Sequence, residues 1–396
     1  MAYENQDPPR EWPATLPVDQ MREAGWRPHA LHQFLLKTQS RCNLACDVCT
    51  VHAVPDENTR RRPKVMPVDL VAVAARRIAE HTRKHEIGSV QLTLHGGDPL
   101  FAEDAYLSDA VEIMRAEVGF GTHVDVTAQV NGALLDDDAL RTLQDLNVKA
   151  KVCLDTGWRA HADAGSFDAV ATALTRLSNP HYRHLHGGML CAVDLDNDPV
   201  ETYEILLRFQ PPMIDFVVPY GTWESPPPGR PADRTQTPYG DWLIAVFDRW
   251  HGARKETRIR LFEEIGHLFQ GGASVSEAVG LAPSTLAIIE TDGTIEQTDS
   301  LRLVRHDAIE SLNIVDHAFD EAQWHPGMVS RQMGWEALSD TCKACRFHRV
   351  CGGGVYAHRY RSGTGFRNPS VYCDDLYRLI GHIRQRFVQD LRHLSR

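Results

Sequence analysis

The sequence predicts an α/β fold with parallel strands, and three observations support this prediction. Short apolar runs alternate with amphipathic helical patterns through the first half of the 396 residues. Such βα repeats favour parallel strands joined by helical crossovers. About six repeats are compatible with an open or partial barrel, in which sites lie at the carboxyl ends of the strands. Two groups of cysteines are also present, one directly after the first predicted strand and one near the C-terminus.

The predicted elements follow one another along the chain. Apolar runs predict strands at 32–37, 88–97, 123–130, 148–155, 187–195 and 214–219. Apolar stripes at helical spacing predict helices at 68–82, 104–118, 137–146, 167–178 and 199–209. Two further helical segments are predicted at 240–253 and 274–282. A hairpin follows them, with Asp292-Gly293 as its turn.

A Pro-rich polar segment at 222–238 interrupts the alternation and predicts a domain boundary. We therefore expect an N-terminal extension, a partial barrel, a helical linker and a small C-terminal domain that ends in a helix. Their predicted ranges are 1–30, 31–225, 226–285 and 286–396.

Composition excludes several classes of partner. The net charge is −11, which argues against a nonspecific phosphate-binding surface and hence against nucleic acid. No apolar stretch approaches the ~20 residues that a membrane span needs. The first residues lack the basic and apolar regions of a secretory signal. Nine cysteines without such a signal favour metal or cluster binding in a reducing cytoplasm over disulfides. A cytoplasmic monomer is the default expectation.

The first cysteine group is the triplet Cys42, Cys46 and Cys49, spaced Cys-x3-Cys-x2-Cys. Three thiolates on one short loop can hold three irons of a [4Fe–4S] cluster and leave the fourth iron open. The open iron can then bind a small molecule. A structural zinc site would normally want four ligands, and three buried thiols on a loop are the plainest alternative.

The second cysteine group lies in a Gly-rich segment and comprises Cys342, Cys345, Cys351 and Cys373. Four thiolates can fully ligate one [4Fe–4S] cluster. Zinc bound by the same four thiolates is the alternative. Two other cysteines, Cys153 and Cys191, lie inside apolar strands, where we expect them to pack as small apolar residues.

Several motifs resemble those of a known enzyme family. CNLACDVC resembles the signature of the radical S-adenosylmethionine (SAM) enzymes, and HGGDPL resembles their Gly-Gly-Glu-Pro motif. The C-terminal cysteine segment resembles the SPASM/twitch auxiliary-cluster domain. Together with IETDGTIEQTDSL and CGGGVYAHRYRSGTGFRNPSVYCDDL, these motifs are similar to the FxsB-type, cyclophane-forming maturases of ribosomal peptides (RiPPs). The resemblance extends over about residues 30 to 385 and implies a partial (β/α)6 radical SAM barrel followed by a small SPASM/twitch-like iron–sulfur domain.

The resemblance implies cofactors, partners and a reaction. A catalytic [4Fe–4S] cluster binds SAM at its open iron, and a second, auxiliary [4Fe–4S] cluster is expected at the C-terminal cysteines. Reductive cleavage of SAM releases a 5′-deoxyadenosyl radical, which abstracts a hydrogen from a ribosomal precursor peptide. The peptide radical then joins an aromatic side chain. Flavodoxin or ferredoxin would supply the electron.

Two other functions remain open. A sulfatase-maturase-like enzyme, or another SPASM dehydrogenase, would share the catalytic triplet but release an aldehyde. A non-catalytic iron–sulfur electron carrier or a zinc-binding protein would have no use for an open iron.

The resemblance also implies contacts with SAM in the glycine motif. Gly96 and Gly97 let the backbone approach the methionine moiety closely, because neither has a Cβ. Asp98, in place of the usual glutamate, would accept a hydrogen bond from the methionine ammonium. Pro99 completes the motif. The alternative is that Asp98 is a simple turn residue before Pro99.

Polar residues at the ends of two later strands are weaker candidates. Gln129 and Asn131 end one strand, and similar enzymes carry polar groups towards the cofactor there. Asp155 ends the next strand and is the candidate proton acceptor, or a contact with SAM or the substrate. For each residue, a strand-end cap or turn is the alternative.

This chain departs from the family pattern at several positions. Val48 stands where many members carry an aromatic residue beside the adenine, and Thr50 replaces the common tyrosine. Val355 stands where a further auxiliary-cluster cysteine would be expected. We therefore predict two clusters in all.

Overall fold

One sheet runs through the described part of the chain, which in this computed structural model comprises residues 11–44, 62–154, 166–253, 257–304 and 312–394. Its strands lie in the order β10-β9-β8-β1-β2-β3-β4-β5-β6-β7. Strands β1 to β6 lie side by side in chain order, and each pairs in parallel with the next. They are β1 (Gln33–Gln39), β2 (Ser89–Gly96), β3 (His123–Val130), β4 (Lys149–Leu154), β5 (His186–Ala192) and β6 (Met213–Val217). The six strands predicted from apolar runs are therefore confirmed.

Helix α1 (Val18–Glu23) precedes β1, and five further helices connect the six strands as crossovers. These five are α2 (Val68–Lys84), α3 (Asp104–Val118), α4 (Asp137–Asp145), α5 (Ser166–Ser178) and α6 (Pro199–Leu207). Acidic caps start two of them. Asp136 accepts hydrogen bonds from the amides of Asp138 and Ala139, and Asp198 accepts one from Glu201.

The core lies between the sheet and these helices. In β2, Val90, Leu92 and Leu94 are buried, whereas the residues that alternate with them are less so. The apolar stripe of α2 is buried as well, including Ala75 and Ile78. Burial on one face of strand and helix is what the two periodicities predict.

The C-terminal half is mainly helical. It contains α7 (Pro238–His251), α8 (Arg260–Phe269), α9 (Phe319–Ala322), α10 (Pro326–Gln332), α11 (Asp340–Lys343), α12 (His348–Cys351) and α13 (Cys373–Leu394). The long helix α13 packs on α7 and α8. None of the helices that the structure describes is both long and apolar enough to cross a bilayer.

The helix predicted at 274–282 is wrong. The structure forms α8 earlier in the chain and leaves this segment as a series of bends. Glu264 of α8 accepts hydrogen bonds from the amides of Val275 and Ser276, at 2.7 and 2.9 Å. Gly280, at φ +83°, donates to the carbonyl of Val350. These amides are therefore bonded to other parts of the chain and not to a helix of their own.

The predicted hairpin is confirmed, and it extends the sheet. Strand β8 (Leu286–Ile289) pairs antiparallel with β9 (Thr294–Glu296), and Gly293 takes φ +84° in the turn. The other side of β8 pairs in parallel with β1. Strand β10 (Leu312–Asn313) lies beyond β9, and β7 (Arg258–Ile259) closes the opposite edge. The sheet thus continues past residue 286.

Candidate functional site

The carboxyl ends of β1, β2 and β3 meet at one asparagine. Asn131, directly after β3, donates from Nδ2 to the sulfur of Cys42 at 3.2 Å and to Oδ1 of Asn43 at 2.8 Å. Its backbone amide donates to Oδ2 of Asp98 at 2.9 Å. The cysteine loop, the glycine turn and the end of β3 are therefore joined by one residue.

The two glycines after β2 allow close contact between backbone segments. Gly96 has φ +129°, and a Cβ there would lie 1.8 Å from the carbonyl oxygen of Gln39. A Cβ on Gly97 would lie 1.8 Å from the carbonyl oxygen of Arg41. The amide of Gly97 donates to Gln39 and that of Asp98 to Arg41, at 2.7 and 3.1 Å. The glycine turn thus packs directly on the start of the cysteine loop.

Asp98 is fully buried and bonded on both oxygens. Oδ1 accepts from the amide of Leu100 and Oδ2 from that of Asn131, each at 2.9 Å. Burial raises the pKa of Asp98 to about 6, although the two amide bonds oppose this rise. Asp98 also caps the short 3₁₀ turn that begins at Pro99. Its carboxylate therefore holds two loops together, and any ammonium ligand would use the lone pairs that remain.

Of the other predicted site residues, the structure describes Gln129. Gln129 is half-buried in β3, in register with Lys151 of β4. The remaining candidates, Cys46, Val48, Cys49 and Asp155, lie outside the described residues. Of the two strand cysteines, Cys191 is fully buried, and Cys153 is half-buried.

The cysteine loop leaves and rejoins the sheet at one place. Gln39 forms an antiparallel bridge with Val65, and the amide of Ser40 donates to the carbonyl of Lys64 at 2.8 Å. Both ends of the loop are therefore held beside the end of β1. Of the triplet, Cys42 is thus placed at the carboxyl edge of the strands.

A buried group of charges next to this loop was missed from the sequence. Lys37 of β1 forms ion pairs with Glu290, at 2.7 Å, and with Asp299. Arg62, close to the far end of the loop, pairs with Glu290 at 2.9 Å and with Glu296 at 2.8 Å. The acidic residues of the TDGTIEQTD hairpin were the available signal, but their basic partners lie more than 200 positions away.

The C-terminal cysteines are brought together by short helices and turns. Cys342 lies in α11, Cys351 ends α12, and Cys373 begins α13. Burial raises the pKa of Cys351 to about 11 and that of Cys373 to about 12, and the neighbouring cysteines add to both shifts. Cys342 and Cys345 are among those neighbours. The four cysteines are thus close enough for their charges to interact, as expected of residues that share one metal site.

Among the described residues, His81, His85 and Asp320 form a set of possible metal ligands whose ligand atoms all lie within 4.8 Å of one another. The His81 set itself fits an ion-pair cluster better than a metal site. The amide of Leu31 donates to Nε2 of His81 at 2.9 Å, so the ring proton is on Nδ1, which donates to Asp320 at 2.7 Å. His85 and Lys84 contact the same carboxylate, at 2.7 and 2.6 Å. Burial opposes the shift, but these bonds lower the pKa of Asp320 to about 2. The set joins α2 to α9.

Residues 36–178 match the family model of the Radical SAM superfamily. This matched segment is similar to a Radical SAM domain. The matched segment begins in β1 and ends with α5, so it includes the cysteine triplet, the glycine turn and Asn131. The predicted α/β fold class is confirmed, with a parallel sheet at its centre and a mainly helical C-terminal region.

Solved structures share the fold over nearly the whole chain. Native anSMEcpe with bound AdoMet (S-adenosylmethionine) has a TM-score of 0.74 at 19% identity, over 90% of this chain and 98% of that one. Native anSMEcpe with AdoMet and the Cp18Cys peptide has a TM-score of 0.73 at 18% identity, over 91% and 99%. Streptococcus suis SuiB bound to precursor peptide SuiA has a TM-score of 0.56 at 12% identity, over 90% and 78%. At these identities the likeness is one of fold.

Proposed function

We propose that this protein is a radical SAM maturase that installs a cyclophane-type crosslink in a ribosomally made precursor peptide. One observation carries the catalytic part of the proposal. Cys42, the glycine turn and Asn131 converge at the carboxyl ends of three parallel strands, inside the segment that matches the Radical SAM family model. This is the edge at which parallel α/β folds place their ligands.

The residues present fit a catalytic [4Fe–4S] cluster with SAM. Cys42, Cys46 and Cys49 would hold the cluster and leave one iron for SAM. An amide donor already points at the sulfur of Cys42, which is the contact an anionic thiolate favours. When bound, SAM and the cluster supply a 5′-deoxyadenosyl radical that abstracts a substrate hydrogen.

The chain's own residues position this chemistry. Asp98 holds the amide of Asn131, and Asn131 in turn holds the sulfur of Cys42. Gly96 to Pro99, with Val48, Gln129 and Asn131, would form the SAM site. Asp155 would take the proton released when the aromatic ring is restored.

The C-terminal cysteines would hold a second, closed [4Fe–4S] cluster. The four thiols of Cys342, Cys345, Cys351 and Cys373 match the ligand number of one closed [4Fe–4S] cluster. The net reaction removes two hydrogens from the peptide. One hydrogen atom goes to deoxyadenosine, and the other leaves as a proton after the new bond forms. A second cluster held by these cysteines would accept the electron left behind, and flavodoxin or ferredoxin would supply the electron for SAM cleavage.

Two observations on neighbouring folds support a peptide substrate. The anSMEcpe and SuiB structures were each solved with a peptide bound.

The net charge of −11 supports the absence of a nucleic-acid partner. A cytoplasmic monomer remains part of the proposal, as does the four-part division of the chain.

A sulfatase-maturase-like reaction is the second candidate. It is favoured by the TM-score of 0.74 over 98% of the anSMEcpe chain. Such an enzyme would also remove two hydrogens from a side-chain alcohol, but its product is an aldehyde and contains no ring.

The first experiment measures metal and SAM cleavage in anaerobically purified protein. About eight irons per chain, with deoxyadenosine formed from SAM and dithionite, is the expected result. About four irons and one zinc would reduce the C-terminal cysteines to a structural site. A cluster-loaded protein that makes no deoxyadenosine, with or without peptide, would contradict the enzyme assignment and favour an electron carrier.

The second experiment identifies the reaction. Peptides encoded in short reading frames beside the gene are incubated with protein, SAM and dithionite, and Cys46→Ala serves as the inactive control. Loss of two hydrogens, with fragmentation blocked between two residues, is expected. A product that reacts with hydroxylamine would instead show an aldehyde and support the sulfatase-maturase-like reaction.

A further inference from the structure

Arg359 is a buried cation beside the C-terminal cysteines. Its side chain donates to three consecutive carbonyl oxygens: Nη2 to Gly352 and Gly354, at 2.8 and 2.6 Å, and Nε to Gly353, at 3.2 Å. The residue is 8% exposed, so its charge is largely removed from water. These three glycines directly follow Cys351.

The backbone of the turn formed by Gly352, Gly353 and Gly354 requires glycine. The three glycines have φ values of +61°, +83° and +67°, a region that residues with a Cβ rarely adopt. A Cβ on Gly352 would lie 1.6 Å from the carbonyl oxygen of Gly280. The backbone amide of Gly353 opposes the rise that burial causes in the pKa of the Cys351 thiol. The turn therefore lies between Cys351 and the guanidinium of Arg359, which its carbonyl oxygens bind.

The charge of Arg359 has no acidic partner among the described residues. No ion pair joins it to a carboxylate within the ranges that the structure describes. Glu277, whose charge reaches the neighbouring His358, is held by two bonds from Arg331, at 2.9 and 3.1 Å. The ring of Tyr356 lies 5.6 Å from the guanidinium carbon. A buried cation balanced by carbonyls and one ring still favours a nearby anion.

We infer that Arg359 is the counter-cation of the C-terminal cysteine site and raises the reduction potential of the cluster held there. The inference rests on the proposed second cluster. A cluster on four thiolates is anionic and gains one more negative charge on reduction, and nearby charge is one of the determinants of its potential. A fixed positive charge therefore stabilises the reduced form more than the oxidised form. This suits a site that must accept an electron.

The size of the effect follows from the position of the charge. Arg359 binds the carbonyl of the residue after Cys351, so its charge lies within about 10 Å of that sulfur. At an effective dielectric constant of about 20, a unit charge at that distance changes the redox equilibrium roughly tenfold. A tenfold change corresponds to about 59 mV for a one-electron couple.

The test measures the midpoint potential of each cluster by spectroscopic redox titration in three variants. Arg359→Gln removes the charge and Arg359→Lys keeps it. Arg367→Gln removes an exposed charge of the same segment, which stacks on Trp12, and serves as the control. We expect Arg359→Gln to lower the potential of the second cluster by about 59 mV. Arg359→Lys and Arg367→Gln should leave it near the wild-type value.

Other outcomes are informative in the same way. If Arg359→Gln fails to load the second cluster while Arg359→Lys loads it at the wild-type potential, the charge requirement is supported. Loss of the second cluster in both variants, or an unchanged potential in Arg359→Gln, would reduce Arg359 to a structural residue and overturn the inference. A wild-type protein with about four irons would instead overturn the proposed second cluster itself.

Discussion

The two cysteine sites are built from different kinds of local structure. The first begins where β1 ends. There Asn131 donates a hydrogen bond to Cys42, and the glycine turn after β2 packs on the backbone before it. The second is formed by short helices and a left-handed glycine turn, with Arg359 bound beneath it. A loop at the open edge of a sheet leaves room for a cofactor to reach a metal. Four buried or half-buried thiols from several short elements suit a site that passes electrons and admits no ligand.

The largest expected difference lies in SAM cleavage. Cys46→Ala and Cys351→Ala should each lose about four irons per chain, because each removes one ligand of a four-iron cluster. Deoxyadenosine formation should vanish in Cys46→Ala and persist in Cys351→Ala. Iron analysis and chromatography of the products measure both. If Cys351→Ala also abolishes cleavage, the two sites are not independent.

The next effect concerns the glycines that each site needs. Alanine at Gly352 meets both a carbonyl contact and left-handed strain, so roughly 3–5 kcal/mol of unfolding free energy should be lost. Alanine at Gly97 should cost roughly 3 kcal/mol or less, because its φ is ordinary and the only penalty is the clash of its Cβ with the backbone of Arg41 and Cys42. Thermal unfolding of the apo proteins measures both losses.

Gly88→Ala is the matched control for these variants. Nothing lies within 4 Å of a Cβ built at Gly88. This variant should unfold like the wild type and load both clusters. Equal damage from all three substitutions would show that the close contacts at Gly97 and Gly352 have no special role.

Asp98 makes the first site sensitive to pH. Its pKa is raised from about 3.9 in the unfolded chain to about 6 in the folded protein. The folded state therefore binds more protons between these values, and stability falls as pH rises through them. The apo wild type should lose up to about 3 kcal/mol relative to Asp98→Asn between pH 4 and pH 7. A constant difference between the two proteins across this range would contradict the raised pKa.

The smallest effect is expected at Asn131. Asn131→Ala removes the donor to Cys42 and the acceptor for the amide of Ala133, at 2.8 Å, which should cost about 1–2 kcal/mol. The potential of the first cluster should fall, since hydrogen bonds to the sulfur stabilise the reduced form, while the second cluster is unchanged. Asn131→Asp keeps the acceptor but places a carboxylate near the sulfur, so its shift should be larger. Equal potentials in all three proteins would remove Asn131 from the site.

The sequence was sufficient for features that depend on near neighbours. Strand and helix periodicity predicted six parallel strands, because burial alternates locally along each element. The failure at 274–282 has a longer-range cause, since Glu264 takes up the amides that a helix there would need. The hairpin could be predicted from its turn residues, but its pairing with β1 could not.

The same division holds for the candidate site. Cysteine spacing and the HGGDPL turn are local, and they indicated a cluster with an open iron and the strand ends that would hold it. Only the tertiary structure showed that Asn131 bonds Cys42 and that Lys37 pairs with the distant Glu290. It alone showed that Arg359 binds the carbonyl of Gly352. Such contacts depend on which elements meet after the chain has folded. No periodicity or spacing along the sequence records that outcome.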